Sequence, residues 1–110
     1  MSSFRLQKLN SLLKKEISQI LIKEIDFDNA FVSITDVDST GDCSKATVFI
    51  SVMPEEKEQK VLSILEKNIY DIQKQIDRKL RMKPVPKIHF EIDKGMKNFY
   101  KMNQFTNKRK

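Results

Sequence analysis

The sequence predicts a two-layer α+β domain, with a three-stranded sheet and its helices packed on one face. Three observations carry that expectation. An apolar stripe of helical period opens the chain, and two alternating apolar runs joined by a short polar turn come after it. A second, longer helical stripe then ends at prolines, before a third alternating run. Three short strands cannot bury both faces of a sheet, so the helices gather on one face and leave the other partly open.

In the first stripe Leu6, Leu9, Leu13, Ile17 and Ile20 fall on one side of a helix, while Lys8 and Lys15 point away and Ser2 or Ser3 stands where a cap belongs. Asp26, Phe27, Asp28 and Asn29 favour a turn after Ile25. Phe31, Val32, Ile34 and Val37 make a β-type run that stops at the polar stretch 38–42, where Gly41 suits a tight connection. In the second run Ala46, Val48, Ile50 and Val52 alternate with Thr47, Phe49, Ser51 and Met53. Pro54 closes that run, because proline has no N–H to give to a ladder. The short link predicts an antiparallel hairpin. Val61, Leu65, Ile69, Ile72, Ile76 and Leu80 recur every three or four residues and predict a helix from about Lys57 to Arg81, with Glu55, Glu56 and Glu58 at its electropositive start. Pro84 and Pro86 forbid its continuation, and Ile88, Phe90 and Ile92 form the third strand.

A chain of 110 residues supports one core. Its formal charge of +6 is unevenly held: residues 1–93 carry 15 basic and 15 acidic side chains, whereas residues 94–110 carry six basic and none acidic. We expect a folded domain over 1–93 and a basic, flexible tail over 94–110. The single cysteine, Cys43, permits no internal disulfide. No stretch is apolar and long enough to span a membrane, and no leader pattern opens the chain, so a cytoplasmic location is expected.

The chemistry-bearing residues are cations. On a helical wheel Lys60, Lys67, Lys74 and Arg81 lie seven residues apart with Arg78 beside them, opposite the apolar stripe. Such a row spans several successive phosphates, and both ammonium and guanidinium groups suit phosphate oxygens. A neutralised surface is the competing interpretation, since Asp71 stands at pairing distance from Lys67 and Lys74, and Asp77 from Arg81. Charge is nevertheless segregated along the chain. Residues 24–58 hold nine acids and two bases, and residues 59–90 hold eight bases and three acids, which favours a directed electrostatic surface. The tail adds Lys94, Lys97 and Lys101 among Phe99, Tyr100 and Phe105, a mixture suited to phosphate contact and base stacking. Phe49 and His89 belong to the strand sides opposite the aliphatic rows.

Other chemistries are poorly supported. Asp36, Asp38, Thr40, Gly41 and Asp42 open like a calcium loop, but its twelfth position is Thr47 where a bidentate Glu is required. His89 has no evident partner in sequence, and Cys43 has only Lys45 nearby, so neither is an activated nucleophile. Two glycines, Gly41 and Gly95, cannot compose a phosphate-binding loop. A binding protein with no enzymatic activity, cofactor or metal is expected.

Several segments together resemble one known family. They are Val32-Ser-Ile-Thr-Asp-Val37, the stretch from Asp42 through Ala46, Val48 and Ile50 to Val52, and Arg78-Lys-Leu-Arg-Met-Lys-Pro-Val-Pro86 followed by Ile88-His-Phe90. In order and spacing they are similar to ribosome-binding factor A, a bacterial assembly factor with a KH-like fold. The resemblance covers about residues 5–93. It implies a type II KH-like domain, α-β-β-α-(kink)-α-β, whose kink falls near Asn68, Ile69 and Tyr70. The family commonly has Ala and Gly there, and this chain has neither. It also implies a monomer that binds the free small (30S) ribosomal subunit and its 16S rRNA during late maturation and rRNA processing, with no small-molecule substrate and no membrane. The residues expected to meet RNA are Lys60, Lys67, Lys74, Arg78, Arg81, Lys83, Lys94, Lys97 and Lys101. The alternative is a protein-interaction module that docks a basic ribosomal protein through the acidic segment 24–58.

Overall fold

The computed structural model describes residues 4–94. Helix α1 (Phe4–Glu24) leads into strands β1 (Phe31–Ser39) and β2 (Lys45–Met53). A 3-10 turn at Glu55–Lys57 runs into helix α2 (Glu58–Lys79), and strand β3 (Lys87–Ile92) closes the fold. The sheet order is β1-β2-β3, antiparallel between β1 and β2 and parallel between β2 and β3. The parallel pair requires a crossover, which α2 provides.

Both helices lie on the same face of the sheet. Leu13 and Ile17 of α1, Leu65, Ile72 and Ile76 of α2, and Val48, Ile50 and Val52 of β2 are almost fully buried in one core. α2 buries Val61, Leu65, Ile72 and Ile76 of the stripe anticipated from its spacing, with Ile69 packed at its margin.

Three local features differ from the expectations of the sequence. The first is in β1, where Ile34 pairs with Ile50 and Asp36 with Phe49, so Thr35 is an extra residue, a β-bulge. The bulge explains why Ile34 and Val37, three apart, both face the core, and it turns Asp36 and Asp38 outward. The second is in the hairpin loop. The residue with left-handed backbone there is Cys43 (φ 61°), while Gly41 has no positive φ. The loop is closed instead by side chains: the Asp42 carboxylate accepts hydrogen bonds from the Thr40 hydroxyl (2.8 Å), the Ser44 N–H (3.0 Å) and the Ser44 hydroxyl (2.8 Å). These donors favour the ionised form and hold the Asp42 carboxyl at about 2.

The third concerns α2, which is one uninterrupted helix through Asn68, Ile69 and Tyr70, so the element order is α-β-β-α-β with no break. With no Gly or Ala at that point, Ile69 packs on the core margin and the Asn68 amide donates to the Ile64 carbonyl of its own helix (2.8 Å). α2 also ends at Lys79 and not at Arg81. Leu80 adopts an extended backbone and buries its side chain, which starts the run to the prolines.

Gln73 anchors the far end of that run. Its amide nitrogen donates to the Pro86 carbonyl (3.0 Å) and its amide oxygen accepts from the Ile88 N–H (3.0 Å), so one side chain clips the start of β3 to α2. Polar contacts tie α1 to the rest, among them the Ser39 hydroxyl to the Asn10 side-chain oxygen (2.5 Å), Gln75 to Glu24 (2.8 Å), and Lys79 to Glu16 (3.2 Å).

Candidate nucleic-acid interface

α2 presents its apolar stripe to the sheet, so its opposite side is the outer surface of the helical layer. Lys60, Lys67, Lys74 and Arg78 all lie exposed on this helix. From Lys60 to Arg78 the rise is about 27 Å. Arg81 and Lys83 are exposed as well, but they sit on the irregular connection beyond the helix, so the wheel that grouped five cations holds for four. Lys94 is exposed at the end of the described chain; Lys97 and Lys101, and the tail expected over 94–110, otherwise lie outside the described residues.

The four helical cations are not equivalent. Lys60 reaches the Asp28 carboxylate (2.5 Å) while Lys57 donates to the Asp28 carbonyl (2.5 Å). Asp28 sits in the turn after α1, where Asp28 and Asn29 both have positive φ (57° and 68°) and the Ala30 N–H closes onto the Phe27 carbonyl (3.2 Å). Asp and Asn tolerate that backbone better than most residues. The Lys60 hydrogen bond, and then the charges of Lys60 and Lys57, lower the Asp28 carboxyl from its ordinary value. Lys60 thus holds the α1–β1 turn against the start of α2.

Farther along, Lys74 lies over the ring of Tyr70, 5.2 Å from its centroid, and Tyr70 is itself strongly exposed (70%). The neutralising pairs considered from sequence do not form. Among the described residues neither Lys67 nor Lys74 pairs with Asp71, and Asp77 accepts a hydrogen bond from Gln73 (3.1 Å) rather than meeting Arg81. Lys67, Lys74 and Arg78 therefore form no ion pair among the described residues and stand beside an exposed aromatic ring, an arrangement that can meet phosphates and stack a base. Tyr70 was missed in the sequence, although it stands four residues before Lys74.

The acidic segment 24–58 does not form one surface. Asp28 is engaged by Lys60, Asp42 closes the hairpin loop, and Asp36 and Asp38 face outward from the sheet. On that uncovered face Phe49 pairs with Asp36 of β1 and with Glu91 of β3, so the ring is flanked by a carboxylate on each side. His89, for which the sequence suggests no partner, lies 3.2 Å from the Glu91 carboxylate.

A two-layer α-β-β-α-β sandwich, with one helix crossing between parallel strands and a cationic outer face, defines the class: a KH-like α+β domain. Within that class the chain belongs to the ribosome-binding factor A family, whose model matches residues 5–106. It is 40% identical over 99 residues to ribosome-binding factor A of Prochlorococcus marinus strain NATL1A, covering 86% of this chain and 80% of that protein. It is 37% identical over 106 residues to ribosome-binding factor A of Halothermothrix orenii, covering 94% and 87%. Among solved structures, the solution structure of a putative ribosome-binding factor A from Thermotoga maritima superposes with a TM-score of 0.71 at 25% identity, over 86% of this chain and 92% of that one. A Thermus thermophilus ribosome-binding factor A fitted into a map of its 30S complex superposes at 0.66 and 21% identity, over 76% and 90%, which shows a shared fold. The family is one of ribosome-binding factors and is not a known enzyme family. Among the described residues, no helix is long and apolar enough to cross a membrane.

Proposed function

We propose that this chain binds the free small ribosomal subunit, meets its 16S rRNA through the outer face of α2, and assists late maturation and rRNA processing in the cytoplasm without catalysing a reaction. The observation that carries the RNA contact is the exposed row Lys67, Lys74 and Arg78, unpaired among the described residues and joined by the Tyr70 ring. Family membership supports the ribosomal partner, as does the Thermus relative, which occupies a 30S complex. Lys60 contributes less than its position on the helix suggests, because Asp28 holds it. Arg81 and Lys83 extend the cationic surface past the end of the helix, while Lys94, beside the first turns of α2, belongs with Lys97 and Lys101 to an auxiliary clamp.

The test is the salt dependence of binding to 30S subunits or to 16S rRNA fragments. Removing one phosphate contact lowers the slope of log affinity against log salt by about one. Lys67→Ala, Lys74→Ala and Arg78→Ala each reduce it, whereas Lys60→Ala changes it least. An unaltered slope in the triple variant rejects the assignment. Accumulation of precursor 16S rRNA in cells lacking the protein, and its reversal by the intact chain, tests the maturation role.

A further inference from the structure

The helix face is one of two chemically distinct surfaces. The other is an open groove of about 690 Å³ that runs from the uncovered sheet face, past the end of β3, to the first turns of α2. Phe49, Phe90 and Leu62 supply much of its apolar lining. Asp36, Glu58, Glu91 and Asp93 line it too, with Lys94 as the only cation among its lining residues. This excess of negative charge repels a phosphate backbone and attracts a basic chain.

Register sharpens that chemistry. Directly paired residues in a sheet share a face and stand ~5 Å apart, so Asp36 and Glu91 bracket the Phe49 ring from neighbouring strands. An aromatic face between two carboxylates suits a guanidinium or ammonium group, which gains ring and carboxylate attraction together. β3 is also an edge strand of the described sheet. Its Lys87 N–H turns inward to the Ser44 carbonyl, while its Ile88 N–H turns outward to Gln73. By the alternation of a strand, the N–H groups of Phe90 and Ile92 also face the outer edge, beside the groove, where an extended segment can add as a further strand.

We propose that this groove docks an extended, arginine- or lysine-bearing segment of a protein partner, with one cationic side chain over Phe49 between Asp36 and Glu91 and the backbone along the Phe90–Ile92 edge. The occupant is a basic protein extension and not nucleic acid. The groove contains none of Lys67, Lys74 and Arg78, which carry the RNA assignment, and shares only Lys94 with the auxiliary clamp, so either assignment can fail without the other.

The probe is a synthetic peptide of alternating arginine and valine, titrated into the isotope-labelled full chain and followed by amide chemical shifts. The expected result is a set of shifts centred on Phe49, Phe90 and Glu91. Asp36→Lys combined with Glu91→Lys weakens binding at least about tenfold, whereas the charge-matched pair Glu56→Lys with Asp71→Lys changes it less than about twofold. Phe49→Leu keeps an apolar residue in place and weakens binding about threefold. Equal losses in the two charge-reversed pairs, or shifts centred elsewhere, overturn the proposal. So does an oligouridylate that moves the same amides. Movement of the Phe49, Phe90 and Glu91 amides by Lys97→Gln with Lys101→Gln before any peptide is added overturns it as well, because the chain's own basic residues are then the occupant. The RNA salt slope of Phe49→Leu, measured in parallel, stays unchanged if the two surfaces are independent.

Discussion

The outer surface of α2 and the uncovered surface of the sheet are the two outsides of one sandwich, and they differ both in charge and in how they are built. On α2, Lys67, Lys74 and Arg78 project from a single helix, and their spacing is a property of local sequence alone. On the sheet, Asp36, Phe49 and Glu91 come from three strands and meet only through register. A two-layer fold turns charge that is segregated along the chain into charge segregated in space, because the helix of the basic segment and the hairpin of the acidic segment expose opposite sides of a shared core. The helix face is a surface that tolerates local change. The sheet face depends on the whole fold.

The largest expected effect comes from removing what both faces share. Ile72 is almost fully buried between α2 and the sheet, and Ile72→Ala costs about 2–5 kcal/mol by leaving a cavity. Urea denaturation reads that loss, and near the midpoint RNA binding and peptide binding fall together. Gln73→Ala separates them. It frees the Pro86 carbonyl and leaves the Ile88 N–H without its partner, at a cost of about 1–3 kcal/mol. The amides of β3 then exchange faster with solvent than those of α2, and the sheet face is disturbed while the helix cations stay in place.

Lys79→Ala is smaller. One Glu16 carboxylate oxygen is buried with no hydrogen-bond partner, and the Lys79 ammonium 3.2 Å away is the charge facing it, so truncation costs about 1 kcal/mol, measured by thermal unfolding. Equal stability of the variant would show that the two helices are held by apolar contact alone.

The smallest effect is one of pH. The Asp42 carboxyl lies at about 2 in the folded chain against an ordinary 3.8, so its contribution is present above about pH 4 and fades as pH falls towards 2. Asp28 is lowered too and acts in the same direction. Asp42→Asn keeps an acceptor for the Ser44 N–H and flattens the acid limb of the stability profile, which denaturation at a series of pH values measures.

Much of this architecture was legible in the residues, and the reasons are local. The α2 stripe, the alternation in β2 and the proline stops each arise from one segment, so period and breaker positions located them. The helix cations were legible for the same reason, although the wheel could not show that Leu80 leaves the helix and takes Arg81 with it. Features that depend on two segments were not. Nothing near Lys60 announces that Asp28, thirty-two positions away, holds its ammonium, and nothing marks Gln73 as the clip on β3. Cys43 takes the left-handed position for which Gly41 is the better suited residue, because the Asp42 side-chain bonds decide the shape of that loop. The bulge did leave a trace, the spacing of three between Ile34 and Val37, which breaks the period of a regular strand.

That bulge makes β1 unequal in its response to changes of length. Thr35 is the surplus residue, and its hydroxyl meets the Asp93 carboxylate (2.5 Å). Deleting it leaves a regular strand in which Ile34 and Val37 still face inward and Asp36 outward, at the expense of that polar latch and of the hydroxyl's contact with the Phe49 carbonyl (3.3 Å). Inserting one residue between Asp36 and Val37 reverses the facing of Val37 and of every later residue in the strand. In this position a shorter chain is the conservative change and a longer one the disruptive one, so natural or engineered length variation in the hairpin should run towards loss.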